Sequence, residues 1–161
     1  MNRPRFHVSL QKLLWVAMLL IWMLYLISFL LPATNVAEAA GAPIGTPLTG
    51  YQAFLLMLNG GLHPFVFLPF PVMLILVPII LLGNFVIALL PIAAIPPQFS
   101  PVVSCVLGGI AIVGAIAVLK MPADLKGTVF VGYYLWIISM MAGGLVLIGF
   151  SLVKLADDYE E

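Results

Sequence analysis

Val72–Leu90 reads VMLILVPIILLGNFVIALL, nineteen residues with no charge and one strongly polar side chain, Asn84. As a helix rising 1.5 Å per residue it is about 28 Å long, close to the ~30 Å hydrocarbon core of a bilayer. Moving outward in both directions, the apolar character persists. Between Lys12 and Lys120 the only formally charged side chain is Glu38. Charged residues make up 7% of the 161-residue chain and hydrophobic ones 64%, against about 25% charged in an ordinary globular domain. An Asp, Lys or Arg at the centre of a membrane helix costs roughly 2.5–3.5 kcal/mol, so such residues are kept out of spans. The sequence therefore predicts an all-α integral membrane protein, with residues 1–161 forming a single transmembrane domain.

Four spans are expected, at about 13–31, 72–90, 102–119 and 129–153. Arg3, Arg5 and Lys12 precede the first. Pro71 and Pro91 frame the second and Pro78 lies inside it, where a missing N–H is expected to bend the helix. Pro101 opens the third and Lys120 closes it; the fourth is long enough to span with tilt. Basic residues, an apolar run and then Ala37-Glu38-Ala39 also have the order of a secretory signal. The run exceeds the usual 7–15 residues of a signal core, which favours a retained anchor. Between the first two spans, Gly41 and Gly45 mark turns. Thr49 is placed to cap a short helix over about 50–59, closed by Asn59-Gly60. Ten residues cannot cross a bilayer, so this piece is expected to be an interfacial helix in the first extramembrane loop. A fifth crossing over 51–70 is opposed by His63, Pro64, Pro69 and the glycine pair. Four spans put both termini on one side. That side collects Arg3, Arg5, Lys12 and Lys154 against Lys120 and Lys126 on the other, so both termini are expected in the cytoplasm.

Three short stretches carry a family likeness. They are Phe29-Leu30-Leu31-Pro32-Ala33 at the end of the first span, Gly50-Tyr51-Gln52-Ala53-Phe54-Leu55 in the short helix, and Gly132-Tyr133-Tyr134-Leu135-Trp136 opening the fourth span. In their order the chain resembles small four-helix bacterial integral membrane proteins of uncharacterised function. That group usually has Trp where this chain has Tyr51. The resemblance implies a multi-pass protein of the bacterial inner (cytoplasmic) membrane. It brings no activity with it.

The residue inventory narrows the chemistry. A formal net charge of zero leaves no footprint for nucleic acid. His7 and His63 fall on opposite faces of the expected topology, so one chain cannot ligate a haem through both. A lone Cys105 cannot exchange disulfides within the chain and reads as a small packing residue. No Asp, Glu, Lys, Arg or His lies within an expected helix core, so there is no proton or ion relay. No catalytic set, metal site or cofactor is predicted, and the chain is not expected to be an enzyme.

What remains is packing. Asn84 is expected to hydrogen-bond a neighbouring helix or subunit. Ser104, Gly108, Ala111 and Ala115 share one face of the third span, and Ser139 and Gly143 lie four apart in the fourth; small faces let membrane helices approach closely. Tyr133, Tyr134 and Trp136 are expected in an interfacial aromatic belt, where a lipid or ligand pocket with Tyr51 and His63 is the sharper alternative. The acidic tail from Asp157 to Glu161 is expected to be solvated. The functional expectation is a non-catalytic membrane subunit or scaffold that contacts lipid and other membrane subunits or itself. The alternatives are a small oligomeric transporter or channel lined by Asn84, Ser104, Gly83 and Gly108, and a lipid- or quinone-binding module.

Overall fold

The computed structural model describes residues 4–35, 47–58, 70–91, 100–119 and 130–158. In chain order the elements are α1 (Pro4–Leu30), β1 (Pro32–Asn35), β2 (Pro47–Thr49), α2 (Gly50–Leu58), α3 (Phe70–Ala88), α4 (Pro101–Leu119) and α5 (Val131–Asp158). Three of the helices are long and apolar enough to cross a membrane, over Leu10–Leu30, Pro101–Leu119 and Val131–Ala156. The expected second span, 72–90, falls on α3, a 19-residue helix from Phe70 to Ala88 within which Leu74–Ala88 is a shorter apolar stretch. The helix continues through Pro78.

The helix boundaries have local causes. Ser100 caps α4: its hydroxyl accepts the backbone N–H of Val103 at 3.3 Å, and Pro101 takes the first helical position, where an N–H would have no helical partner. Thr49 and Gln52 cap α2 reciprocally. The Gln52 N–H donates to Thr49 Oγ1 at 3.4 Å, and the Thr49 N–H donates to Gln52 Oε1 at 3.0 Å.

The long helices run up, down, up and down. Trp15 packs edge-on against Phe150, and a Cβ on Gly132 would meet the carbonyls of Leu31 and Pro32; α1 and α5 are therefore antiparallel, with the start of α1 and the end of α5 at the same end of the bundle. Ser151 Oγ donates to the Pro101 carbonyl at 2.6 Å, while the Tyr133 hydroxyl donates to the Val118 carbonyl, so α5 is also antiparallel to α4. Gly83 lies against Ile110 and Ala111, and Gly114 against Ile79 and Ile80, which sets α3 antiparallel to α4. Around the bundle the order is α1, α3, α4, α5. Packing is extensive between α4 and α5, α1 and α5, and α3 and α4, and sparse between α1 and α3.

The two short strands add a feature that the sequence reading lacks. They pair antiparallel with Pro32 opposite Thr49 and Thr34 opposite Leu48, which leaves Ala33 as an extra residue. The Ala33 carbonyl accepts the Phe130 N–H at 3.0 Å instead, and the Leu31 carbonyl accepts the Gly50 N–H at 3.0 Å. The ladder and α2 thus form a cap tied to the end of α1 and the start of α5. Leu13, Leu20, Ile75, Phe85, Val106, Ile138, Leu145 and Leu152 are among the large apolar residues left exposed outside the bundle. Contiguous apolar surface of that kind is rare on soluble monomers and suits lipid tails.

Candidate functional site

Asn84 sits beside Gly83, level with Ile110 and Ala111 at the middle of α4, and is 1% exposed. Two helices reach it. The Tyr25 hydroxyl of α1 donates to Asn84 Oδ1 at 3.0 Å, with the Asn84 carbonyl 3.3 Å away. The Trp136 indole of α5 donates to the same Oδ1 at 2.7 Å. The Asn84 amide donates one N–H to the Ile80 carbonyl, one turn back on α3, at 2.8 Å. An amide oxygen has two lone pairs, and both are used. Three helices therefore meet at one buried oxygen.

The residues around this junction follow from the same need to satisfy polar groups away from water. Ser28 stands three residues after Tyr25 and donates to the Tyr25 carbonyl at 2.6 Å; Ser139 stands three after Trp136 and donates to the Trp136 carbonyl at 2.7 Å. Both hydroxyls are buried and bonded to their own helix. Trp22, one turn before Tyr25, donates its indole N–H to the carbonyl of Ala88, the last residue of α3, at 3.2 Å. The last carbonyls of a helix lack helical partners, so this side chain covers one of them. On the cap side the Tyr25 ring packs edge-on against Phe29 at 4.9 Å, and Phe29 against Phe54 of α2 at 5.7 Å.

The predicted small face of α4 divides between two neighbours in the same chain. Gly108 abuts Gly144 of α5, Ala111 abuts Gly83 of α3, and Ala115 is fully buried, while Ser104 is half-buried near the helix start. Gly143 makes room for Ile87 of α3 and Ile21 of α1. The Met140 methyl lies where side chains on Gly83 and Gly114 would otherwise stand.

Two of the aromatics expected in an interfacial belt, Tyr133 and Trp136, turn their polar tips to acceptors on the chain's own helices. Tyr133 is 8% exposed and bonded to the Val118 carbonyl in the last turn of α4, and Trp136 points at Asn84. Each ring has a polar tip, and each tip finds an acceptor within the chain. The Tyr133 ring packs edge-on against Tyr134 at 5.7 Å and against Trp136 at 6.3 Å, while Tyr51 and Tyr134 are exposed; His63 lies outside the described residues. Cys105, read as a packing residue, is exposed on the outer side of α4.

The sequence reading also missed Trp22, Tyr25 and Ser28. Their signal was present, as polar-tipped residues at spacings of three on one face of an otherwise apolar run. Among the described residues no group of three or more His, Cys, Asp or Glu is placed to hold a metal ion. Compared with protein-family models, with curated proteins and with solved structures, the chain matches none.

Proposed function

We propose that this chain is a non-catalytic integral membrane subunit or scaffold, a four-span bundle of the bacterial inner (cytoplasmic) membrane with both termini in the cytoplasm. In this reading α3 completes the fourth crossing and the α2 cap lies at the outer interface. The protein works by packing against other membrane subunits or copies of itself, and against lipid. The observation that carries the reading is the use of the central polar groups. Asn84 Oδ1, the Tyr25 and Trp136 donors and the Ser28 and Ser139 hydroxyls are engaged within the chain, and what faces outward is apolar. Such a body offers surface for association and little for chemistry.

The transporter or channel reading asks Asn84, Ser104, Gly83 and Gly108 to line a path, whereas Asn84, Gly83 and Gly108 are buried in contacts between the chain's own helices and Ser104 is half-buried. Blue-native electrophoresis after mild detergent extraction tests the proposal. The expected result is a band well above the 17.4 kDa chain in its micelle, with co-migrating proteins or further copies. A single small band would overturn it. Solute flux through proteoliposomes holding the purified chain would move the assignment to a transporter.

A further inference from the structure

We propose that the seam between α1 and α3 is a latch, the one face of the bundle built to part, with Tyr25 and Trp22 as its closures and α3 staying on α4 as it opens. The inference goes beyond the subunit reading and needs only that the bundle sits in lipid.

Three of the four seams are closed by backbone approach at glycine. Gly108 and Gly144 bring α4 and α5 together, Gly132 brings α5 onto the end of α1, and Gly83 and Gly114 bring α3 onto α4. No described glycine brings α1 onto α3, and these two helices touch little. Long side chains bridge them instead: Tyr25 to Asn84, and Trp22 to the Ala88 carbonyl. Lipid tails are as apolar as the side chains, so no hydrophobic force pulls membrane helices together; packing and hydrogen bonds do. A seam with sparse packing and two side-chain bonds is then the weakest of the four, and local opening follows the weakest contacts.

The junction is arranged so that opening does not strand the buried amide. Trp136 donates to Asn84 Oδ1 from α5, and Ile80 accepts the Asn84 N–H from α3 itself. When Tyr25 lets go, both bonds can persist. Directly behind the seam lies Ile87, fully buried, against the positions of Gly143 and Ile21.

The test is thiol accessibility in liposomes, with Cys105→Ser as background. Ile87→Cys places a thiol behind the proposed latch, and Ala115→Cys places one in α4, equally buried. With the latch residues intact, a membrane-permeant maleimide is expected to label position 87 faster than position 115. Equal rates would overturn the proposal without any latch variant having to fold. Adding Tyr25→Phe and Trp22→Phe, which keeps aromatic side chains and removes both donors, is expected to accelerate position 87 by about tenfold, the population shift that roughly 1.4 kcal/mol of lost hydrogen bonding produces. Position 115 should stay as it was. No acceleration at 87, or equal acceleration at both sites, would also overturn it, the latter because it reports loosening of the whole bundle.

Discussion

Gly108 of α4 and Gly144 of α5 face each other so closely that a Cβ on either would lie 2.6 Å from the other's carbonyl oxygen. The contact is reciprocal and backbone to backbone. Neither side can yield by turning a side chain. It lies near the centre of the most extensive helix pairing in the bundle, and it leaves no room for a side chain on either helix.

Gly108→Leu should therefore push the two helices apart. Overpacking of this kind costs roughly 1–3 kcal/mol, and lipid supplies no hydrophobic force to bring the helices back together. Insertion should be unaffected or slightly improved, because Leu partitions into the bilayer better than Gly. Unfolding in mixed micelles against denaturing detergent measures the first effect, and glycosylation mapping of insertion the second. Wild-type resistance to the detergent would refute the assignment of this contact. Gly109→Ala is the matched control: nothing lies within 4 Å of its Cβ position, and stability should hold.

The cap should come loose on its own. A Cβ on Gly50 would sit 2.5 Å from the Ser28 carbonyl oxygen and 3.0 Å from the Phe29 Cα, both backbone atoms at the end of α1. Gly50→Ala is expected to undock α2 and the β1–β2 ladder while leaving the four long helices packed. Limited proteolysis should then cut the first connection many times faster than in the wild type, with little change in detergent resistance. A protease pattern identical to the wild type would mean that the cap absorbs the methyl.

Hydropathy and proline punctuation made the helices legible. The 102–119 expectation falls on Pro101–Leu119, and the 129–153 expectation starts two residues early and stops five short of Asp158. Thr49 carried the start of α2 in the same way, and Gln52 completes that cap. The junction was legible only in half. Asn84 stood out because it is polar in an apolar run, but Tyr25 and Trp136 lie 59 and 52 positions away in the chain. Spacing within a helix says which residues share a face and not which helix that face meets. The acceptors of Tyr133 and Trp136 were not legible for the same reason, since a ring near a helix start has two places to put its polar tip. The β1–β2 ladder gave no periodic signal, because four residues and three are too few to show one.

Topology is tested with single cysteines in a Cys105→Ser background. A cysteine replacing Ala40 should react with an impermeant maleimide in intact cells, and one replacing Tyr159 only after permeabilisation. The motive is the positive bias of Arg3, Arg5, Lys12 and Lys154. The reverse pattern would turn the protein over, placing the cap in the cytoplasm.

Asn84→Leu should remove the acceptor shared by Tyr25 and Trp136 and leave two donors without it in apolar surroundings. Individual hydrogen bonds between membrane helices average about 0.6 kcal/mol and reach about 1.7, so a loss of roughly 1–3 kcal/mol is expected for the pair. The single substitution does not separate lost bonding from altered packing, because Leu also changes the shape of a fully packed site. A double-mutant cycle does. Tyr25→Phe removes one donor and keeps the ring against Phe29. If the bond is real, Tyr25→Phe should destabilise the wild type and cost less in the Asn84→Leu background, where the acceptor is already gone. A parallel cycle with Trp136→Phe should show the same coupling from the α5 side. The two cycles need not agree in size: Trp136 is the nearer donor at 2.7 Å, and Tyr25 bridges helices that hardly touch otherwise. Additive effects in both cycles would mean that Asn84 does not join the helices through this oxygen, and the bundle would then be held by its glycine contacts alone.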